Sequence, residues 1–341
     1  MAFGAHDSAS EVSAPIQPNE KPLLVVVVGP TAVGKTHTAI QIARALKTEI
    51  INADSRQIYR GMAIGTAQPD ESERAAVPHH FVDFVQPEDL YSAGQFESEA
   101  IEWLGQWFRT RRTAVLTGGS GLYVKAVLEG LDDIPSDLAV RASLNERLQM
   151  EGLEGLVNEL RKLDPVHADR MDLQNPQRVV RALEVCLAAG RPFSSYHRKQ
   201  AFERDFDTWV VGLRMPKEVL NERINQRVLH MVQVGLEAEV KSLQHLSDQN
   251  ALQTVGYREW NGYFQGQKSR EEVVEEIQLR TRQFAKRQMT WFQKMPHIHW
   301  FDAHENDANE NILAALRVEC SRRGWQLSDT PSRDGIGPHG E

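Results

Sequence analysis

The chain has 341 residues, 39 basic against 47 acidic for a formal net charge of −8, and 41% of its residues are hydrophobic. That negative balance argues against a general nucleic-acid binder. Two cysteines, Cys186 and Cys320, are too few and too far apart for a disulfide framework or a thiolate zinc site, which fits a reducing compartment. The longest purely aliphatic run, Leu23–Val28, is far short of the ~20 residues that span a bilayer. Residues 1–21 lack the basic and apolar regions of a signal peptide, so the chain reads as cytoplasmic with no membrane association.

In chain order, residues 1–21 and the stretch from about Ser328 are polar and read as disordered tails. Between them short apolar runs alternate with helix-period patterns. This predicts an α/β fold, a P-loop-type, mostly parallel sheet flanked by helices. The predicted strands are LLVVVV (23–28), EIIN (49–52), a strand-like Phe81–Val85, TAVLT (113–117), TWVVGL (208–213) and IHWF (298–301). From about Ser136 to Arg170 the apolar residues recur at helical spacing, as in Leu144, Leu148, Leu153 and Leu156, with no strand candidate among them. A helical insertion domain is therefore expected at 136–170, between core segments 22–135 and 171–302, with a C-terminal extension at 303–341. Two more helical blocks are expected, from Pro216 to about His245 and from Arg270 to Met295.

The first strand runs straight into Gly29, Pro30, Thr31, Ala32, Val33, Gly34, Lys35 and Thr36, which fit G-x-x-x-x-G-K-[ST]. Gly29 and Gly34 let the backbone turn so that successive N–H groups point inward at an anion. The N-terminus of the following helix adds partial positive charge. Lys35 brings a full charge to the outermost phosphates, and the Thr36 hydroxyl is suited to hold Mg²⁺. The loop predicts a ligand bearing a di- or triphosphate.

The second strand ends at Asp54, at the carboxyl edge where ligands bind in open parallel sheets. An acid there suits a Mg²⁺ ligand, a general base or a cap on the next helix. TAVLT leads into Gly118, Gly119, Ser120 and Gly121. Those glycines permit close backbone approach in the crevice, with Ser120 presenting its hydroxyl, although a plain strand–helix turn explains them equally well. Near the C-terminus, Arg280, Arg282, Lys286, Arg287 and Lys294 occur with no acid from Ile277 to Pro296, interleaved with Phe284, Trp291 and Phe292. In an acidic chain such a block suits a phosphate backbone, the alternative being a solvated helix face with a few core aromatics. His79 and His80 lack further ligands at metal spacing and read as packing or turn residues.

With these segments in order, the chain resembles the bacterial tRNA dimethylallyltransferases, also called tRNA isopentenyltransferases. The resemblance spans roughly Leu23 to Asp302. It rests on GPTAVGKT (29–36), ADSRQIYRGMAIGTAQP (53–69), PHHFVDF (78–84), YSAGQF (91–96) and TGGSGLYVKAVLEGL (117–131). It continues through NPQRVVRALEV (175–185), LNERINQRV (220–228), VGYRE (255–259) and TRQFAKRQMTWF (281–292). Phosphate loops serve many functions, but DSRQIY, NPQRVVRALE and TRQFAKRQ in this order are specific.

The resemblance implies a monomeric enzyme that transfers a five-carbon allyl group from dimethylallyl diphosphate to N6 of the tRNA adenosine just 3′ of the anticodon, with Mg²⁺ as cofactor. It implies that the loop from Gly29 to Thr36 binds the donor diphosphate rather than a nucleotide, with Arg227 on the leaving phosphates and Mg²⁺ at Thr36. Asp54 looks like the general base, and Ser120 like a hydroxyl that helps organise the same site. Contacts to tRNA are implied at Asp54, Ser55, Arg56, Gln57, Ser120 and Arg141. Others are implied at Gln177, Arg178, Val179, Val180 and Arg181, at Gln253, Thr254, Val255, Gly256, Tyr257 and Arg258, and at Gln283, Lys286 and Arg287. Ser120 stands where the family mostly has Thr. Ala63 and Gln68 replace a common Asp and Lys, which removes an acid–base pair without touching the diphosphate loop or Asp54. The loop alone also fits a small-molecule kinase with Arg223 and Arg227 as lid arginines, or a nucleotide-dependent binding switch. The basic, aromatic block separates these readings, because a small-molecule kinase has no use for it.

Overall fold

The structure, a computed structural model, describes residues 20–196 and 202–327; nearly all of both predicted tails lies outside the described residues. The chain divides into two compact units, Met1–Leu128 with Arg204–Glu341, and Glu129–Glu203.

In chain order the first unit holds β1 (Leu23–Val28), α1 (Lys35–Leu46), β2 (Ile50–Asn52), α2 (Ala63–Thr66), α3 (Glu71–Ala76) and β3 (His79–His80). It continues with α4 (Ala93–Trp107), β4 (Thr113–Gly118) and α5 (Gly121–Glu129). The second unit carries α6 (Leu138–Glu151), α7 (Leu153–Leu163), α8 (Pro165–Ala168) and α9 (Pro176–Ala189). The chain then returns through β5 (Asp207–Arg214), α10 (Lys217–Gln233), α11 (Leu236–Ser242), α12 (Trp260–Phe264), α13 (Arg270–Phe292), β6 (Ile298–Asp302) and α14 (Ala308–Arg322).

The six strands form one sheet in the order β3-β2-β4-β1-β5-β6, with parallel pairing between neighbours. β1 lies between β4 and β5, so the strand order reverses at its carboxyl end, where α/β sheets open a crevice. All six residues of β1 are fully buried, which is why the run is uniformly apolar rather than alternating. Leu23, Val25 and Val27 pack with Ile42 of α1, Ile224 of α10 and Leu316 of α14. Leu24, Val26 and Val28 face the other side, against Phe96 of α4 and Val124 of α5. The C-terminal extension thus supplies part of a main core through α14. A third core joins Ile58, Tyr59 and Met62 to Val232 of α10, Trp260 of α12 and Ile277 of α13.

α13 is the longest helix among the described residues, 23 residues or about 34 Å. It begins at a capping box: Ser269 Oγ accepts from the Glu272 amide at 3.2 Å, and Glu272 Oε2 accepts from the Ser269 amide at 2.7 Å. Ile277 lies in the third core, Ala285 in the first and Phe292 in the second. One helix therefore contributes to all three cores.

The elements differ from the sequence expectation in three places. The third strand is His79–His80 rather than Phe81–Val85, because Phe81 and Asp83 take φ of 61° and 56° and cannot continue an extended run. The block from Pro216 is broken into α10 and α11 at Gly235, whose φ is 112°. The second unit also extends past the expected 136–170. Val179, Leu183 and Cys186 put an apolar stripe of α9 against Leu144 of α6 and Leu160 of α7.

Candidate active site

The carboxyl ends of β1, β2 and β4 open into a cavity of about 670 Å³. The phosphate loop contributes Thr31, Ala32, Gly34, Lys35 and Thr36, the turn after β2 contributes Asp54, Ser55, Arg56 and Gln57, and the loop after β4 contributes Ser120. Gln253, Thr254, Val255, Gly256 and Arg258 form a further wall, with Arg227 on α10 and Arg287 on α13. Segments spread over more than 250 positions of sequence thus meet at one place.

The phosphate loop owes its shape to local backbone geometry. Gly29 has φ of 152°, and a Cβ there would sit 2.7 Å from the Leu213 carbonyl oxygen; Gly34 has φ of 107°. Lys35 Nζ donates to the Pro30 carbonyl at 2.9 Å, so the ammonium is held against the loop. Burial lowers its pKa to about 8; the Asp54 carboxylate opposes this and the Arg227 guanidinium adds to it. Arg227 is itself pushed below its ordinary value by burial, opposed by Asp54 and Glu73, and donates to Thr31 Oγ1 at 3.4 Å. Among the described residues the lining sets five cations, Lys35, Arg56, Arg227, Arg258 and Arg287, against two carboxylates, Asp54 and Glu73. Such a surplus suits a polyanion. Beside it, Ile224, Val228, Met231, Ile277 and Phe284 give the cavity an apolar wall.

Asp54 caps no helix. Its Oδ1 accepts from the Arg56 amide at 3.0 Å within the turn, and α2 begins only at Ala63. The Ser55 amide donates to Ser120 Oγ at 2.9 Å, and the Ser120 hydroxyl donates to Ser55 Oγ at 3.0 Å. Ser120 therefore locks the Asp54 turn to the loop after β4. Gln68, one of the three departures, is buried. Its Nε2 donates to the carbonyls of Gln57 (3.0 Å) and Tyr59 (2.8 Å), and Oε1 accepts from Arg74 at 3.1 Å. It braces the segment that carries Asp54. Ala63 is exposed at the start of α2.

Gly118 at the end of β4, and Gly119 and Gly121 beyond it, line the cavity and also make room for neighbouring protein atoms. A Cβ on Gly118 would lie 2.1 Å from the Ala53 carbonyl oxygen, on Gly119 2.3 Å from Gln288 Nε2, and on Gly121 2.2 Å from Trp291 Cδ1. Two side chains of α13 therefore occupy the space that the glycines leave. Gln288 was absent from the sequence expectation. Its signal is a lone amide on the apolar stripe of Ile277, Ala285 and Phe292.

Several expected residues lie elsewhere. Val33 is buried in the first core. Gly29 and Pro30 are buried at the base of the loop. Tyr257 is buried, and its hydroxyl donates to Glu239 Oε1 at 2.7 Å. The same oxygen accepts from the Gly65 amide at 2.9 Å, and Glu239 Oε2 accepts from the Ile64 amide at 2.8 Å. Tyr257 thus anchors α2, leaving no side-chain surface for tRNA. Val179 and Val180 are core residues of the second unit, whereas Gln177 and Arg178 are exposed. Arg141 and Arg181 converge on Glu184, whose side chain is fully buried, at 2.8 and 2.9 Å. Burial alone would raise the Glu184 carboxyl, but hydrogen bonds from Arg141, the Asp137 amide and Arg181 outweigh it and hold it below the usual carboxylate range. Gln283, Lys286 and Arg287 are exposed on α13, with the Arg287 guanidinium 5.9 Å from the Phe284 ring centre. His79 and His80 form β3 rather than a turn, and their rings hydrogen-bond within the fold: His79 Nδ1 lies 2.8 Å from the Val77 carbonyl oxygen, and His80 Nε2 2.6 Å from Glu49 Oε2.

A family model described as IPP transferase matches residues 57–295. The chain belongs to the IPP transferase family. It is 46% identical over 287 residues to the tRNA dimethylallyltransferase of Christiangramia forsetii, covering 84% of this chain and 95% of that protein. To tRNA dimethylallyltransferase 2 of Porphyromonas gingivalis it is 47% identical over 279 residues, covering 82% and 93%. The crystal structure of the tRNA isopentenylpyrophosphate transferase of Bacillus halodurans aligns with a TM-score of 0.66 at 35% identity, covering 89% of this chain and 98% of that one. A eukaryotic dimethylallyltransferase acting on tRNA aligns with a TM-score of 0.74 at 26% identity, covering 90% and 81%. No helix among the described residues is long and apolar enough to cross a membrane.

Proposed function

We propose that this IPP transferase moves a dimethylallyl group from dimethylallyl diphosphate to N6 of the tRNA adenosine just 3′ of the anticodon. The observation that carries the reading is the single cavity in which the cationic phosphate loop, Asp54 and an apolar wall meet beside the exposed basic face of α13. A diphosphate matches the loop and its cations, and a five-carbon tail matches the apolar wall.

The adenine amine is a weak nucleophile because its lone pair is delocalised into the ring, so the allylic carbon must be made electrophilic. The bond from that carbon to the diphosphate oxygen breaks, and its electron pair leaves with the diphosphate. The loop amides, Lys35 and Arg227 stabilise the charge that develops there. The new bond forms to N6, and the proton that N6 sheds passes to the Asp54 carboxylate. Ser120 holds the Asp54 turn in place through Ser55. The target base must leave its stack, at a cost of a few kcal/mol that an unpaired loop base keeps small.

Oxygen donors suit Mg²⁺, which takes one or two protein ligands plus substrate phosphates and waters. Thr36 and Asp54 offer such oxygens in the cavity, and no group of three or more His, Cys, Asp or Glu side chains able to hold a metal occurs among the described residues. Thr36 would hold the ion, which when bound supplies charge neutralisation of the leaving diphosphate. The test is nucleoside analysis of tRNA after incubation with the enzyme and labelled dimethylallyl diphosphate. N6-isopentenyladenosine next to the anticodon is expected; label at any other nucleoside contradicts the assignment.

A further inference from the structure

The Gln288 side chain joins two loops that are otherwise separate. It is buried on α13; its Oε1 accepts from the Thr31 amide at 2.8 Å and its Nε2 donates to the Gly119 carbonyl at 2.9 Å. Thr31 belongs to the phosphate loop, and Gly119 precedes Ser120. We infer that Gln288 is a positioning residue for the transfer proposed above, on which this inference rests: it fixes the spacing between the loop that holds the diphosphate and the loop that holds the Asp54 turn.

Three features support a specific clasp over general packing. A primary amide alone offers an acceptor and a donor at the same reach, one for an N–H and one for a C=O. Glu at this position would set a carboxylate against the Gly119 carbonyl, and Met would fill the volume while leaving the buried Gly119 carbonyl and the part-buried Thr31 amide without this partner. Gly119 is also fitted to the clasp, since a Cβ there would stand 2.3 Å from Gln288 Nε2. The clasp uses up the Thr31 amide as well, so the anion must be met by the amides further along the loop. Gln288 touches neither reacting atom in this scheme. It acts through the backbone that carries Lys35 on one side and Ser120 on the other.

The test uses the full chain and three readouts: affinity for inorganic diphosphate, single-turnover transfer of labelled dimethylallyl to tRNA, and tRNA affinity. Gln288→Met is expected to weaken diphosphate binding about tenfold and slow single-turnover transfer about a hundredfold, as misplacement of a catalytic group by an ångström does. Its tRNA affinity should stay within about twofold of wild type, because the exposed face of α13 is untouched. Gln288→Ala should lose as much as Gln288→Met, and Gly119→Ala should cost a similar rate by displacing the amide yet add less than about twofold in the Gln288→Ala background. Wild-type diphosphate affinity and rate in Gln288→Met would overturn the inference, as would fully additive losses in the Gly119 and Gln288 pair. If the variants do not fold, amide exchange on the wild-type chain decides. The Thr31 amide should be protected without ligand, and exchange as fast as at Gly34 would overturn the clasp. Should the wild-type chain bind diphosphate but leave tRNA unlabelled, the functional reading falls, and the diphosphate arm still judges the clasp.

Discussion

Lys35 is buried beside the Asp54 carboxylate, and burial sets how firmly it holds its proton. The Lys35 ammonium is driven down to about 8 by desolvation, so in the free enzyme it loses its charge as pH rises through that value. A diphosphate binds the charged form, so donor affinity should fall above about pH 8 and binding there should take up a proton. Calorimetry in buffers of different ionisation enthalpy measures that uptake, and Lys35→Arg, charged throughout, should lose the inflection while keeping affinity. A flat profile in the wild type would show that another group carries the anion. Asp54→Asn keeps the shape of the turn and its hydrogen bond from the Arg56 amide, but it cannot accept the N6 proton. A general base contributes 10²–10⁴-fold, so the single-turnover rate should fall by roughly 3–5 kcal/mol of barrier with tRNA affinity intact. Full rescue by added Mg²⁺ would instead make Asp54 a metal ligand. The phosphate loop and Asp54 were legible in the sequence because their signals are local. Gln288 was not, because its partner Thr31 stands 257 positions away.

α13 does three jobs that its sequence shows only in part. Its exposed Lys286 and Arg287 were visible as a cationic block with Phe292 among its aromatics, whereas the buried Ala285 and Gln288 were hidden among those charges. Replacing Lys286 and Arg287 together by Ala should weaken tRNA binding and reduce its salt slope by about one to two counterions. A titration of tRNA affinity against salt reads this directly, and an unchanged slope would place the block in the fold alone. In the second unit, α9 carries a comparable surprise. Arg141 and Arg181 were expected at tRNA, yet both neutralise the buried Glu184. Glu184→Ala leaves Arg141 and the Asp137 amide without that acceptor, while Arg181 keeps the Pro135 and Ile134 carbonyls; with both arginines partly solvated the loss in urea unfolding of this unit should be about 1–3 kcal/mol. The Glu184 carboxyl is held below its ordinary value, so its contribution is present at neutral pH and lost as pH falls through that depressed value. A loss under about 1 kcal/mol would mean that the carboxylate is solvated.

At the scale of the whole molecule, β1, β4 and β5 were readable because buried parallel strands are continuous apolar runs, and β6, a half-buried edge strand, from its short IHWF run. β3 was missed because two residues are too few to make a pattern, and the positive φ values at Phe81 and Asp83 follow it at once. Which unit α9 joins depends on packing against α6 and α7, which no local signal records. The sheet places the phosphate loop, the Asp54 turn and the Ser120 loop at the carboxyl ends of β1, β2 and β4, and the helices that cover it bring the remaining walls of the cavity. The central claim is that this loop holds an allyl diphosphate for attack by tRNA rather than a nucleotide for phosphoryl transfer. Incubating the enzyme with total tRNA, Mg²⁺ and dimethylallyl diphosphate labelled in its hydrocarbon, without ATP, tests it most directly. Label in tRNA, with stoichiometric release of diphosphate and no gain on adding ATP, is the predicted result. Unlabelled tRNA, together with transfer of the γ-phosphate of ATP to a small alcohol, would contradict it.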